Sequence, residues 1–141
     1  MSELPPDIYQ NVLAFSERGD ELAADGEYVA AISEYGEALT LIPGPKNNWA
    51  ATTWLLAATA DAAFLANEPE FALETLSYAM TCPDAIGNPF LHLRFGQVLF
   101  ILGQLDRAAD ELMRAYMGGG AEMFVDEHPR FLEFLGTRAQ L

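Results

Sequence analysis

Three pairs of alanines, each pair seven residues apart, recur along the chain as Ala31/Ala38, Ala72/Ala79 and Ala108/Ala115. Seven residues are about two turns of an α-helix, so both members of a pair share one face. Small side chains there let a neighbouring helix come close. Ahead of each pair lies an apolar segment with its own small residue, Gly19, Ala60 or Gly96, followed by Gly26, Asn67 or Gly103. Glycine and asparagine accept the left-handed backbone with which helices commonly end. Such a chain is constrained to antiparallel helix pairs that nest against one another, repeated three times.

The remaining pattern agrees. Apolar residues recur at three- and four-residue spacings almost throughout, and nothing alternates like a strand. Prolines fall at segment edges, at Pro5, Pro43, Pro69, Pro83, Pro89 and Pro129, where helices start or stop. The spacing predicts helices near 6–24, 28–42, 47–66, 70–81, 89–102, 105–117 and 129–139. With 51% hydrophobic residues in 141, the chain can bury one core without metal or disulfide support.

Aligned by phase, the first pair carries Phe15, Gly19 and Leu22, a turn at Asp25-Gly26-Glu27-Tyr28, then Ala31, Tyr35, Ala38 and Pro43. The third carries His92, Phe95, Gly96 and Leu99, a turn at Gly103-Gln104-Leu105, then Ala108, Leu112 and Ala115. The middle pair carries Leu56, Ala60 and Ala63, a turn at Asn67-Glu68-Pro69, then Ala72, Leu76 and Ala79. This pattern resembles the tetratricopeptide repeat over roughly residues 12–120. The resemblance implies an all-α, right-handed solenoid of antiparallel helix pairs in a single domain, 1–141. Its repeats would span about 12–45, 46–86 and 87–120, with a C-terminal cap at 121–141. The alanine intervals are 41 and 36 residues, against about 34 for the repeat. The excess around Lys46–Thr52 is expected to lengthen the first helix of the second repeat. Repeat arrays need covered ends, and Phe131, Leu132, Phe134 and Leu135 suit a capping helix. Gly118-Gly119-Gly120 reads as a flexible link to that cap, since a phosphate loop would need a preceding strand and a lysine.

Few residues offer chemistry. His92 and His128 have no nucleophile at a recognisable spacing; His92 takes a bulky core position and His128, before Pro129, a helix start. One cysteine and two distant histidines make no metal-ligand set, and no cofactor is expected. Cys82 cannot form an internal bridge, so a reducing, cytoplasmic setting is expected, with Cys82 as a small helix-end residue. The Met-Ser-Glu-Leu-Pro-Pro opening has neither the basic start nor the apolar run of a secretory leader. Trp49–Ala66 is apolar enough to raise a membrane question, but Asp61 within it favours a buried helix.

The formal charge is −14, from 21 acids against seven Lys and Arg. That opposes nucleic-acid binding, which needs clustered cations. It suits either a solvated acidic surface or the steering of a basic partner. Residues 1–45 hold nine acids against Arg18 alone, a net of −8.

The resemblance implies protein binding, without catalysis, on an inner face lined by the first helix of each repeat. That face would carry Leu13, Ser16 and Asp20, then Trp54, Ala57, Asp61 and Phe64, then Phe90, Leu93, Gln97 and Phe100. Phe64, Phe90 and Phe100 fit equally a core covered by the cap. Trp54 is the preferred contact, since tryptophan is enriched in interface hot spots, and Trp49 is the second. Relatives that grip chaperone C-terminal carboxylates use Lys, Asn and Arg on this face. Here Ser16, Asp20, Ala58 and Phe90 stand in those places and only Arg94 fits, so no binding of such tails is expected. In form the chain resembles small bacterial repeat proteins that neutralise toxins, and its acidity suits a basic one. The alternative is a secretion or assembly chaperone holding an amphipathic segment of its client.

Overall fold

In the computed structural model, which describes residues 3–141, all regular structure among the described residues is helical. The helices are α1 (Pro6–Ala24), α2 (Tyr28–Thr40), α3 (Ala50–Leu65), α4 (Pro69–Ala79), α5 (Pro89–Ile101), α6 (Leu105–Gly119) and α7 (Pro129–Gly136). Short 3-10 turns occupy Lys46–Asn48 and Ala121–Phe124. Proline stands in the first turn of α1, α4, α5 and α7, where its missing N–H costs no helical bond. The chain divides into two compact units, one up to Ala85 and one at Ile86–Leu141.

The first unit holds two helix pairs, α1/α2 and α3/α4, and the second holds the pair α5/α6 with α7. The first helix of each pair ends in the same way. Gly26, Asn67 and Gly103 all have positive φ. The next amide reaches five residues back in every case: Glu27 N to Leu22 O at 2.8 Å, Glu68 N to Ala63 O at 2.9 Å and Gln104 N to Leu99 O at 2.9 Å. This is the Schellman closure, which satisfies carbonyls the helix end would otherwise leave open.

The small residues do what their spacing implies. Ala31, Ala38, Ala60, Ala72, Ala79, Ala108 and Ala115 are fully buried. A Cβ on Gly19 would stand 2.5 Å from the Tyr35 ring, and one on Gly96 would stand 2.6 Å from Leu112 Cγ. Glycine is therefore what allows α1 to meet α2, and α5 to meet α6, at these crossings.

Two expectations need correction. The extra residues before the second pair do not lengthen α3. They fold as a separate 3-10 turn, followed by Trp49 in an extended conformation, and α3 starts only at Ala50. Polar bonds hold this insertion. Lys46 Nζ donates to the Leu39 and Ile42 carbonyls at 2.8 and 2.6 Å, which caps the C-terminal end of α2, and Thr52 Oγ1 donates to Lys46 O at 2.6 Å. A cation at open carbonyls also suits the helix dipole. Nor are Gly118–Gly120 a loose link. Gly118 and Gly119 complete α6, and a Cβ on them would strike Pro89 and Met123. Gly120 ends α6 with φ 75°.

The α7 expectation holds at its core residues: Phe131 and Leu135 are buried. Phe100 of α5 meets Phe131 and Phe134 edge-on, at 5.4 and 5.0 Å between centroids. Phe100 thus belongs to the packing under the cap.

Candidate protein-binding surface

Histidine and cysteine prove structural in their surroundings. His92 is buried; its Nε2 accepts the Gly87 N–H at 2.8 Å, and its Nδ1 stands 2.6 Å from Glu111 Oε1. With Nε2 accepting, the ring proton sits on Nδ1 and faces the carboxylate. His128 Nδ1 accepts the Arg130 N–H and so caps α7. Burial raises the Cys82 thiol above its ordinary pKa, against smaller lowering effects of hydrogen bonds from Thr81 and Thr53. A thiol held protonated is a poor nucleophile. Among the described residues no His, Cys, Asp and Glu group could hold a metal, and no helix is long and apolar enough to cross a membrane.

The predicted contact residues divide sharply. Ser16, Arg94 and Gln97 are buried. Arg94 Nη1 donates to Gln97 Oε1 at 2.7 Å and to Glu127 Oε1 at 2.6 Å, and Gln97 Nε2 donates to the same Glu127 oxygen at 2.7 Å. The expectation that these three present themselves to a partner gives way here. Ser16 lies in the packing of the first unit, while Arg94 and Gln97 tie α5 to the segment ahead of α7. Glu127 was not singled out from the sequence: it lies 33 and 30 residues from its partners, in a segment without periodicity.

Asp20, Trp49, Trp54, Asp61 and Phe64 remain at least partly accessible, all in the first unit. Asp20 is exposed and accepts the Tyr35 hydroxyl at 2.7 Å. The Tyr35 phenol is pushed well above its ordinary value, first by burial, then by the hydrogen bond to Asp20, and by the charges of Asp20 and Asp61. Both carboxylates therefore bear on one spot where α1, α2 and α3 meet. Toward the N-terminal ends of α1 and α3 opens a cleft of about 510 Å³ whose lining includes Glu3, Leu4, Tyr9, Trp49 and Trp54. The Trp49 indole donates to Pro43 O at 3.0 Å, which fixes that wall. Glu3, Leu4 and Tyr9 were missed because they precede the repeat pattern, and only the fold brings them to the tryptophans.

Charge follows the same division. The first unit carries fourteen acids against Arg18 and Lys46, whereas the second carries seven against five arginines. Both cations of the first unit are engaged internally, Arg18 with Glu34 at 2.8 Å and Lys46 with backbone carbonyls.

No protein-family model matches the chain, and no curated protein matches it in sequence. Solved structures do. The first tetratricopeptide (TPR) domain of human RPAP3 superposes with a TM-score of 0.70 at 19% identity, over 91% of this chain and 94% of that one. The chain has the tetratricopeptide repeat fold. The second TPR domain of human RPAP3, in complex with the HSP70 peptide SGPTIEEVD, gives 0.70 at 17% identity, over 92% of this chain and 96% of that one. The Sgt2 TPR domain from Aspergillus fumigatus gives 0.67 at 20% identity, over 96% and 78%. At such identities the likeness is one of fold. In this chain the 3-10 turn at Lys46–Asn48 and the extended Trp49 fill the longer first alanine interval.

Proposed function

We propose that this chain is a protein-binding TPR module, without catalytic activity, acting in the cytoplasm as an adaptor or inhibitor of one basic protein partner. The observation that carries the reading is the concentration of acids in the first unit, fourteen against two cations, in the unit that also holds the partly accessible Trp49 and Trp54. Opposite charge speeds encounter and selects partners. Aromatic side chains supply the anchoring area. Neutralisation of a basic bacterial toxin is the most specific form of this reading. Asp20 and Asp61 are acidic, so this part of the first unit is unsuited to acidic tails such as the HSP70 peptide bound by the second TPR domain of human RPAP3; in the second unit, Arg94 is held by Glu127.

A second reading, a chaperone for an amphipathic client segment, is favoured by the cleft beside Tyr9, Trp49 and Trp54. The test is recovery of the partner from native cells, followed by stopped-flow association across a salt series. A basic partner whose association slows steeply with salt supports inhibition or adaptation by charge. Salt-insensitive binding that depends on Trp54 supports the chaperone reading instead.

A further inference from the structure

The aromatic cleft and the two carboxylates lie on one strip of the first unit at a spacing set by helix geometry. Trp54 and Asp61 are seven residues apart on α3, and Tyr9 and Asp20 are eleven apart on α1. Those steps are close to two and three whole turns, so each pair stays on one side of its helix, about 10 and 16 Å apart along the axis. The aromatic members line the cleft, and the acidic members both act on Tyr35. An aromatic-walled hollow, with Glu3 also in its lining, and an acidic spot are thus separated by roughly the reach of three to five extended residues.

We infer that this strip is a docking track for an extended basic segment of the partner, with a large apolar side chain in the Leu4/Tyr9/Trp49/Trp54 cleft and a lysine or arginine three to five residues away at Asp20 and Asp61. The inference rests on the protein-binding reading and specifies the ligand's chemistry. Charge complementarity decides the occupant: an anionic or uncharged segment would gain nothing from the acidic end, and the first unit holds few cations of its own to neutralise it. The occupant's form is what the residue spacing reads: an extended segment covers this distance in roughly three to five residues, a helical one in about seven to eleven. The cleft is also a product of the insertion that stretches the first alanine interval, because the 3-10 turn and the Trp49–Pro43 bond place one of its walls.

The experiment is selection of random twelve-residue peptides displayed on phage against the intact chain. Enriched peptides are expected to share a large apolar residue with Lys or Arg three to five positions from it. A synthetic peptide of the enriched sequence should shift both tryptophan indole N–H resonances. Its affinity should fall at least fivefold with Tyr9→Ala, and likewise with Asp61→Asn. Tyr9 is 42% exposed, and circular dichroism verifies that both variants keep the fold. Enriched peptides with seven or eleven residues between apolar and basic positions, peptides lacking basic residues, or no enrichment each overturn the inference. So does binding indifferent to both substitutions. If such a failure comes with a salt-sensitive complex of chain and native partner, the protein-binding reading stands and only the extended track falls; if no partner is found either, that reading falls as well.

Discussion

Tyr35 shows how much one residue does in the first unit. Its ring fills the space Gly19 leaves open, and its hydroxyl donates to Asp20. Replacing it with phenylalanine keeps the ring contact and removes the bond, at a cost of about 1 kcal/mol, the usual net worth of a hydrogen bond with one exposed partner. The pH dependence has a definite sign. Burial and the two carboxylates raise the folded-state pKa of this phenol, so the folded state holds its proton more tightly than the unfolded chain does. Tyr35 therefore contributes stability that is complete below the ordinary phenol value near 10 and is lost as pH rises beyond it. Urea unfolding from pH 8 to 11 should show the wild type losing stability more steeply than Tyr35→Phe. Equal slopes would mean that Tyr35 does not titrate differently on folding. Gly96 makes a second case. Alanine there gains about 1 kcal/mol of helix propensity, but its Cβ meets the Leu112 side chain and, at 2.9 Å, the Leu112 backbone nitrogen. A backbone atom cannot step aside as a side chain can, so overpacking wins. A net loss of about 1–2 kcal/mol in chemical denaturation is expected, and unchanged stability would show that α5 and α6 can separate at no cost.

At the scale of elements, what was legible depended on how local the signal is. Helix ends at Gly26, Asn67 and Gly103 are written in single residues, because so few side chains tolerate positive φ. The crossings at Gly19 and Gly96 are written in a spacing. The insertion was visible as extra length, but its course was not. It is set by Lys46, Trp49 and Thr52 bonding to carbonyls that carry no sequence mark. The glycine run after Met117 misled for a related reason: glycine permits looseness and close packing alike, and only Pro89 and Met123 decide between them. The knot of Arg94, Gln97 and Glu127 joins residues some 30 positions apart, and its loss is an element-scale prediction. Glu127→Gln removes the charge opposite a buried guanidinium. It should cost about 1.5–3 kcal/mol, because it weakens charge-assisted hydrogen bonds to a buried guanidinium. The loss should centre on the α5 contact with the segment before α7, so amide exchange should quicken at residues 121–128 before it does in α1–α4. Uniform quickening along the chain would instead mean that the knot stabilises the fold globally.

For the molecule as a whole, the decisive quantity is where its charge lies. A net of −14 spread evenly would suggest solubility and little else; with fourteen of 21 acids and only two cations in the first unit, it becomes a directional field. Of the accessible residues, Asp20, Trp54 and Asp61 lay within reach of helical phase, while Trp49, carried by the extended end of the insertion, and Leu4 and Tyr9 needed the fold. The field also separates this chain from its neighbours by a measurement. The peptide SRMEEVD, bound by the first TPR of Spaghetti (RPAP3), should show no micromolar affinity for it in a calorimetric titration, since a carboxylate brought up to Asp20 and Asp61 is repelled in a region of reduced dielectric. Salt makes the test two-sided. Screening shortens the reach of every exposed charge to roughly 8–10 Å at moderate ionic strength, so added salt weakens a complex held by opposite charges and relieves one hindered by like charges. A basic partner should therefore bind less tightly as salt rises, and residual binding of the acidic peptide should tighten. If acidic-peptide binding instead weakened with salt, a net attractive cationic site would have to exist on the chain, and the assignment of its binding field to acids would be wrong.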